Sequence, residues 1–195
     1  MSKKVYVLLA EGFELIEAMI PVDVLRRGGA EVVTVSITDN REVTSAQKVP
    51  VISDTTLKEK DITDGDMIIL PGGYPGYVNL GESQEVGKVL KYYVENNKFV
   101  GAICGAPTVL AKNEVFLGKE LTCHSSVVEE MKGYNYNGSK AFTDGNLITG
   151  MGAGLALNFA FALAEKLLDN ETILKVKGSV TTNGWFWREI AYNNS

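Results

Sequence analysis

The chain has 195 residues, 45% of them hydrophobic and 22% charged, with a formal net charge of −5. This suits a single soluble domain with a sizeable core. The acidic balance and the lack of a Lys/Arg stripe argue against nucleic acid or an anionic membrane as partner.

Residues 5–10 form a near-continuous apolar run, as expected of a strand buried on both faces. Glu11 follows directly, so the basic start and this short run do not read as an export signal, and a cytoplasmic protein is expected. Leu15–Arg27 has helical spacing and stops at Gly28-Gly29. Residues 31–37 are rich in β-branched side chains and predict a strand. Residues 41–60 suggest short strands with a turn at Ser53-Asp54. Met67–Leu70 predicts another buried strand, closed by Pro71-Gly72-Gly73. An amphipathic helix is expected over 82–96, a strand over Phe99–Ile103, a helix over 105–113 and a short strand over 120–123. Residues 141–143 and 146–149 flank Asp144-Gly145, a hairpin signal. Residues 153–168 read as a long helix, apolar nearly all round at its start and therefore well buried.

Strands alternating with helices imply parallel pairing through right-handed crossovers, hence an α/β, doubly wound, mostly parallel sheet with helices on both faces. Sites in such sheets form at the carboxyl ends of the strands. Three loops leave such ends, at 11–14, 71–76 and 104–107.

Cys104 sits in the third of these loops, between Val100–Ile103 and a helical pattern. Ala102, Gly105 and Ala106 are small enough for a sharp strand-nucleophile-helix turn. The N–H groups of a following helix would lower the thiol pKa. The competing reading is a small buried hydrophobe. Glu17 lies in an apolar stripe, four residues after Phe13, three before Ile20 and seven before Val24. A carboxyl buried there would be raised in pKa and could remain protonated. Alternatively it reaches water past Pro21. Gly73 and Gly105 could present backbone N–H groups as an oxyanion hole. His124, the chain's one histidine, follows the short strand and could pair with the cysteine. Cys123 is expected to face the core. Two cysteines and one histidine supply neither a disulfide framework nor a metal-ligand set. No phosphate-binding loop is present, so no cofactor is expected.

The segments "AEGFELIEAMIPVDVLRRGG", "IILPGGYPG", "VGAICGAPTVLA" and "LTCHSS" resemble the ThiJ/PfpI (DJ-one) superfamily, on the branch of the parkinsonism-associated protein deglycase. The likeness runs from about residue 4 to about residue 177, with the motifs in the same order. It implies a flavodoxin-like fold and a homodimer. It also implies that Cys104 is the reactive cysteine, Glu17 the acid bonded to it, Gly73 and Gly105 the backbone donors, and His124 the nearby histidine. Tyr74 and Met151 depart from the pattern, standing in place of an asparagine and an arginine, and the second puts an interface anion site in question. Gly105 replaces the histidine that the protease branch carries after its cysteine, which argues against a protease.

Two functions follow from the resemblance. One is a cysteine-dependent glyoxalase or deglycase acting on small 2-oxoaldehydes such as methylglyoxal. The other is a redox-sensing, chaperone-like protein whose cysteine is oxidised to sulfinate. The aromatic tail, residues 185–195, lies outside the resemblance. Its two tryptophans and phenylalanine suggest packing on the body or on a partner.

Overall fold

The computed structural model describes residues 2–180. Strand β1 (Lys4–Leu9) leads into helix α1 (Leu15–Arg27) and back to β2 (Glu31–Ser36). Three short strands follow, β3 (Glu42–Thr44), β4 (Pro50–Ile52) and β5 (Thr55–Thr56). β6 (Met67–Leu70) is followed by α2 (Gly76–Glu82) and α3 (Gln84–Glu95), then β7 (Phe99–Ile103), α4 (Pro107–Lys112) and β8 (Glu120–Leu121). β9 (Asn135–Tyr136), the hairpin β10 (Ala141–Asp144) and β11 (Leu147–Gly150), α5 (Ala156–Leu167) and α6 (Asn170–Val180) complete the described chain.

Seven strands form the central sheet in the order β10-β11-β7-β6-β1-β2-β5, parallel except for β10 against β11. This is the flavodoxin-like α/β arrangement that the pattern and the resemblance imply. Alternate side chains of each strand feed two separate cores, as the period of two requires. Val5, Val7 and Leu9 pack with α1 and α5, while Tyr6 and Leu8 pack with α3 and α4. No helix among the described residues is long and apolar enough to cross a membrane.

The helix expected over 82–96 is α3, and Ser83 sets its start by leaving the helical conformation (ψ 115°) and accepting a hydrogen bond from the Val86 N–H. Three expectations need correction. The helix expected from 105 starts only at Pro107, after the turn at the cysteine. The strand expected over 120–123 stops at Leu121 and pairs with β9 outside the main sheet. The region over 153–168 opens with a 3-10 turn, and its helix leaves Leu157 36% exposed, because only one side of it faces the sheet. Residues 185–195 lie outside the described residues.

Candidate functional site

The three expected loops meet above the carboxyl ends of β1, β6 and β7. The Glu14 N–H donates to Gly72 O and the Gly76 N–H to Gly12 O, which ties the first loop to the second. Gly73 has φ +88°, and a Cβ there would lie 2.3 Å from the Glu14 nitrogen, so only glycine fits. Cys104 has φ +65°, an uncommon conformation for a non-glycine residue. Its N–H donates to Gly150 O and its carbonyl accepts from the His124 N–H, each at 2.9 Å. These two bonds hold the strained turn from both sides.

Glu17 is fully buried, so its apolar stripe does carry it inward and not past Pro21 to water. Its Oε2 accepts from the Gly72 N–H at 2.9 Å. Its Oε1 is buried with no partner at bonding distance, although the Ala153 N–H is close enough to favour the ionised form. Burial is the main cause of a carboxyl pKa raised to about 7, opposed by the Cys104 thiol and by the N–H groups of Gly72 and Ala153.

Cys104 is half-buried. Contrary to the expectation of a lowered value, its thiol is pushed up to about 12, first by burial and then by the Glu17 carboxylate. The N–H groups of Gly105 and Gly73 pull the other way. The expected helix effect is weak for a structural reason: α4 is short and opens with proline, and the Ala106 N–H is already given to Ile103 O. The two acids face one another, and an ionised Glu17 carboxylate opposes ionisation of the Cys104 thiol. A thiolate forms here only when Glu17 keeps its own proton and donates it to the sulfur.

His124 is exposed, and its Nδ1 is engaged: it lies 2.8 Å from Ser126 Oγ and accepts from the Ser126 N–H at 3.2 Å. Among the described residues no side-chain hydrogen bond joins His124 to Cys104: Nδ1 caps the 3-10 turn, and the His124 main-chain N–H bonds Cys104 O. Cys123 is fully buried, as expected.

Three contributors escape the sequence reading. A Cβ on Gly72 would lie 2.6 Å from both Cys104 Cβ and Glu17 Oε2, so this glycine is what lets thiol and carboxyl approach. Tyr77 covers Gly105, where a Cβ would lie 2.5 Å from its ring. Gly152, past the end of β11, lies between the His124 ring and Glu17 Oε1. The glycines carried a signal in "PGG" and "MGAG", but Tyr77 carried none.

Residues 3–166 match the DJ-1/PfpI family. The Protein dj-1beta of Drosophila melanogaster is 39% identical over 178 residues, covering 90% of this chain and 95% of that protein. The glutathione-independent glyoxalase DJR-1.2 of Caenorhabditis elegans is 34% identical over 169 residues, covering 85% of this chain and 89% of that one. The crystal structure of Drosophila melanogaster DJ-1beta superposes with a TM-score of 0.89 at 38% identity, covering 94% of this chain and 100% of that chain. A match over most of the length, with a fold to suit it, settles the kinship of this sequence: the chain belongs to the DJ-1/PfpI family.

Proposed function

We propose that this protein is a cysteine-dependent, glutathione-independent glyoxalase for small 2-oxoaldehydes such as methylglyoxal, with deglycase action on methylglyoxal adducts as the same chemistry. The observation that carries this reading is the fully buried, proton-holding Glu17 beside Cys104 on a positive-φ turn. It is further supported by the glyoxalase among the relatives.

The steps balance as follows. The Cys104 sulfur attacks the aldehyde carbon, and the pair's proton goes to the carbonyl oxygen, giving a hemithioacetal. The N–H groups of Gly73 and Gly105 stabilise the oxyanion passed through on the way. Glu17, ionised once its proton has been delivered, removes the hydrogen from the carbon that bears sulfur. The resulting enediol takes that proton back on the neighbouring carbon, which leaves a lactoyl thioester. Water cleaves the thioester to lactate and restores the thiol. Oxidant and cofactor are not needed, since one carbon is oxidised as its neighbour is reduced.

Wild-type protein is expected to convert methylglyoxal to lactate without glutathione. Cys104→Ser abolishes the reaction, and Glu17→Gln slows it by about 10²–10⁴-fold, the usual contribution of a positioned acid-base group. Lactate measured by coupled assay checks this, and its absence from the wild-type reaction would falsify the reading. The redox alternative is favoured by the same acid proton, which could bond a sulfinate oxygen. Gain of two oxygens at Cys104 under dilute peroxide, in a protein with no turnover, supports it instead.

The cytoplasm suits this reading, since a reducing compartment keeps Cys104 as a thiol. A homodimer is supported by exposed Ile16 (45%), Val49 (41%) and Ile52 (75%). These belong to α1 and the β3–β4 hairpin, which are joined where the Leu15 N–H donates to Gln47 Oε1. Sedimentation of the intact protein reads the oligomeric state.

A further inference from the structure

Helix α2 opens with a half-buried aromatic ring set against the reactive turn. The Tyr77 N–H donates to Gly73 O at 2.9 Å, which anchors this residue beside one of the two backbone donors. Its ring lies on the other: a Cβ on Gly105 would stand 2.5, 2.6 and 2.9 Å from three of the ring carbons. The phenol also senses the reactive cysteine, because a charge on Cys104, like one on Glu130, opposes its ionisation. Tyr74 extends the screen, with its ring centre 6.3 Å from that of Tyr77 and the two planes at 60°.

The same ring walls a second space. Between α2 and α4 lies a hollow of about 370 Å³, bordered by Tyr77, Val78, Gly81, Thr108, Ala111 and Glu130. Thr108 donates its hydroxyl to Gly105 O at 2.7 Å, so this hollow and the turn share a boundary. Tyr77 therefore stands between a nucleophile and room that a substrate's substituent could use. A tyrosine has only two side-chain torsions, so a ring held by its helix and by the Gly105 face is a firm wall.

We propose that Tyr77 is a specificity-determining residue: its ring sets the size of the electrophile that reaches Cys104, closes off the hollow between α2 and α4, and confines turnover to 2-oxoaldehydes with a small substituent. The limit on substrate rests on the glyoxalase reading; the limit on access to the thiol does not. Cys123 is fully buried, so the mass of the intact protein follows alkylation at Cys104. N-methylmaleimide and N-phenylmaleimide share one chemistry and differ in size. Tyr77→Ala is expected to raise the phenyl-to-methyl rate ratio about 10-fold or more, the order at which a pocket discriminates by size. Tyr77→Phe, which keeps the ring, retains the wild-type ratio. A change in thiol acidity alters both reagents alike and cancels. The kcat/KM for phenylglyoxal relative to methylglyoxal is expected to rise with the alkylation ratio. Tyr77→Leu, with a smaller rise, is the second variant should the first not fold. An alkylation ratio that rises in neither overturns the proposal, and so does a turnover ratio that stays fixed while the alkylation ratio rises. A rise in Tyr77→Phe as well assigns the effect to the hydroxyl and overturns the role of the ring. Wild-type protein without methylglyoxal turnover sinks the glyoxalase reading alone, and the alkylation ratio then decides whether the wall stands.

Discussion

Glu17 holds a carboxyl where water does not reach, and that has a thermodynamic consequence. Its pKa is raised from 4.5 to about 7, chiefly by burial. The folded state therefore binds this proton more tightly than the unfolded state. The group's contribution to stability is fully present below about pH 4.5 and is lost as pH climbs through about 7. At about 1.36 kcal/mol per pH unit the loss is on the order of 3 kcal/mol. Glu17→Gln keeps an acceptor for the Gly72 N–H and has nothing to ionise. Urea midpoints are expected to show the variant gaining on wild type between pH 5 and pH 8, by up to about 3 kcal/mol; a difference that does not change with pH would contradict the burial argument. Helical spacing put Glu17 in the apolar stripe but left open whether it reaches water past Pro21, and the fold decided for burial. The thiol's upward shift was not legible, because it depends on how close Glu17 stands and on a Gly72 backbone that only the folded loop positions.

Helix α3 shows how a single polar residue sets an element's boundary. The apolar periodicity over 82–96 predicts a helix. Ser83 sets where α3 starts, because its hydroxyl accepts from the Val86 N–H at 3.3 Å and so satisfies one of the orphan donors at the helix start. Ser83→Ala is expected to cost about 1 kcal/mol, the usual value for a lost cap. A fall in the urea midpoint with unchanged slope checks this, and an unchanged midpoint would mean that packing alone sets the start. The turn at Cys104 illustrates the opposite case. Small residues advertised a sharp bend there, yet they could not say where α4 begins, since the Ile103 carbonyl captures the Ala106 N–H first.

Across the molecule, α5 presses its buried side into the sheet through Phe159. A Cβ on Gly101 would stand 3.2 Å from the Phe159 ring and one on Gly150 2.9 Å from the Phe159 Cβ, so glycines on two neighbouring strands make the hollow that this side chain fills. Gly150 also accepts the Cys104 N–H, which joins this packing to the reactive turn. Phe159→Ala is expected to destabilise the fold by about 3–5 kcal/mol, as large core truncations do. It should also slow alkylation of Cys104, because the β11 end that supports the turn loosens. Chemical denaturation and iodoacetamide kinetics test both, and unchanged alkylation in a destabilised variant would separate core from site.

Alternation of apolar runs and helical stripes was enough to order the strands and helices along the chain, since period and turn chemistry are local properties. The same patterns marked Cys104, Glu17, Gly73, Gly105 and His124 as residues to watch. Which of them meet was decided in three dimensions. The β11 end, Gly72 and Tyr77 enter the site from distant stretches of chain, and the His124 ring is turned towards Ser126 by a local cap. Pairing of strands far apart in sequence brings such groups within a few ångströms of one another, and burial then sets their proton affinities; neither distance nor dielectric is written in the order of the residues.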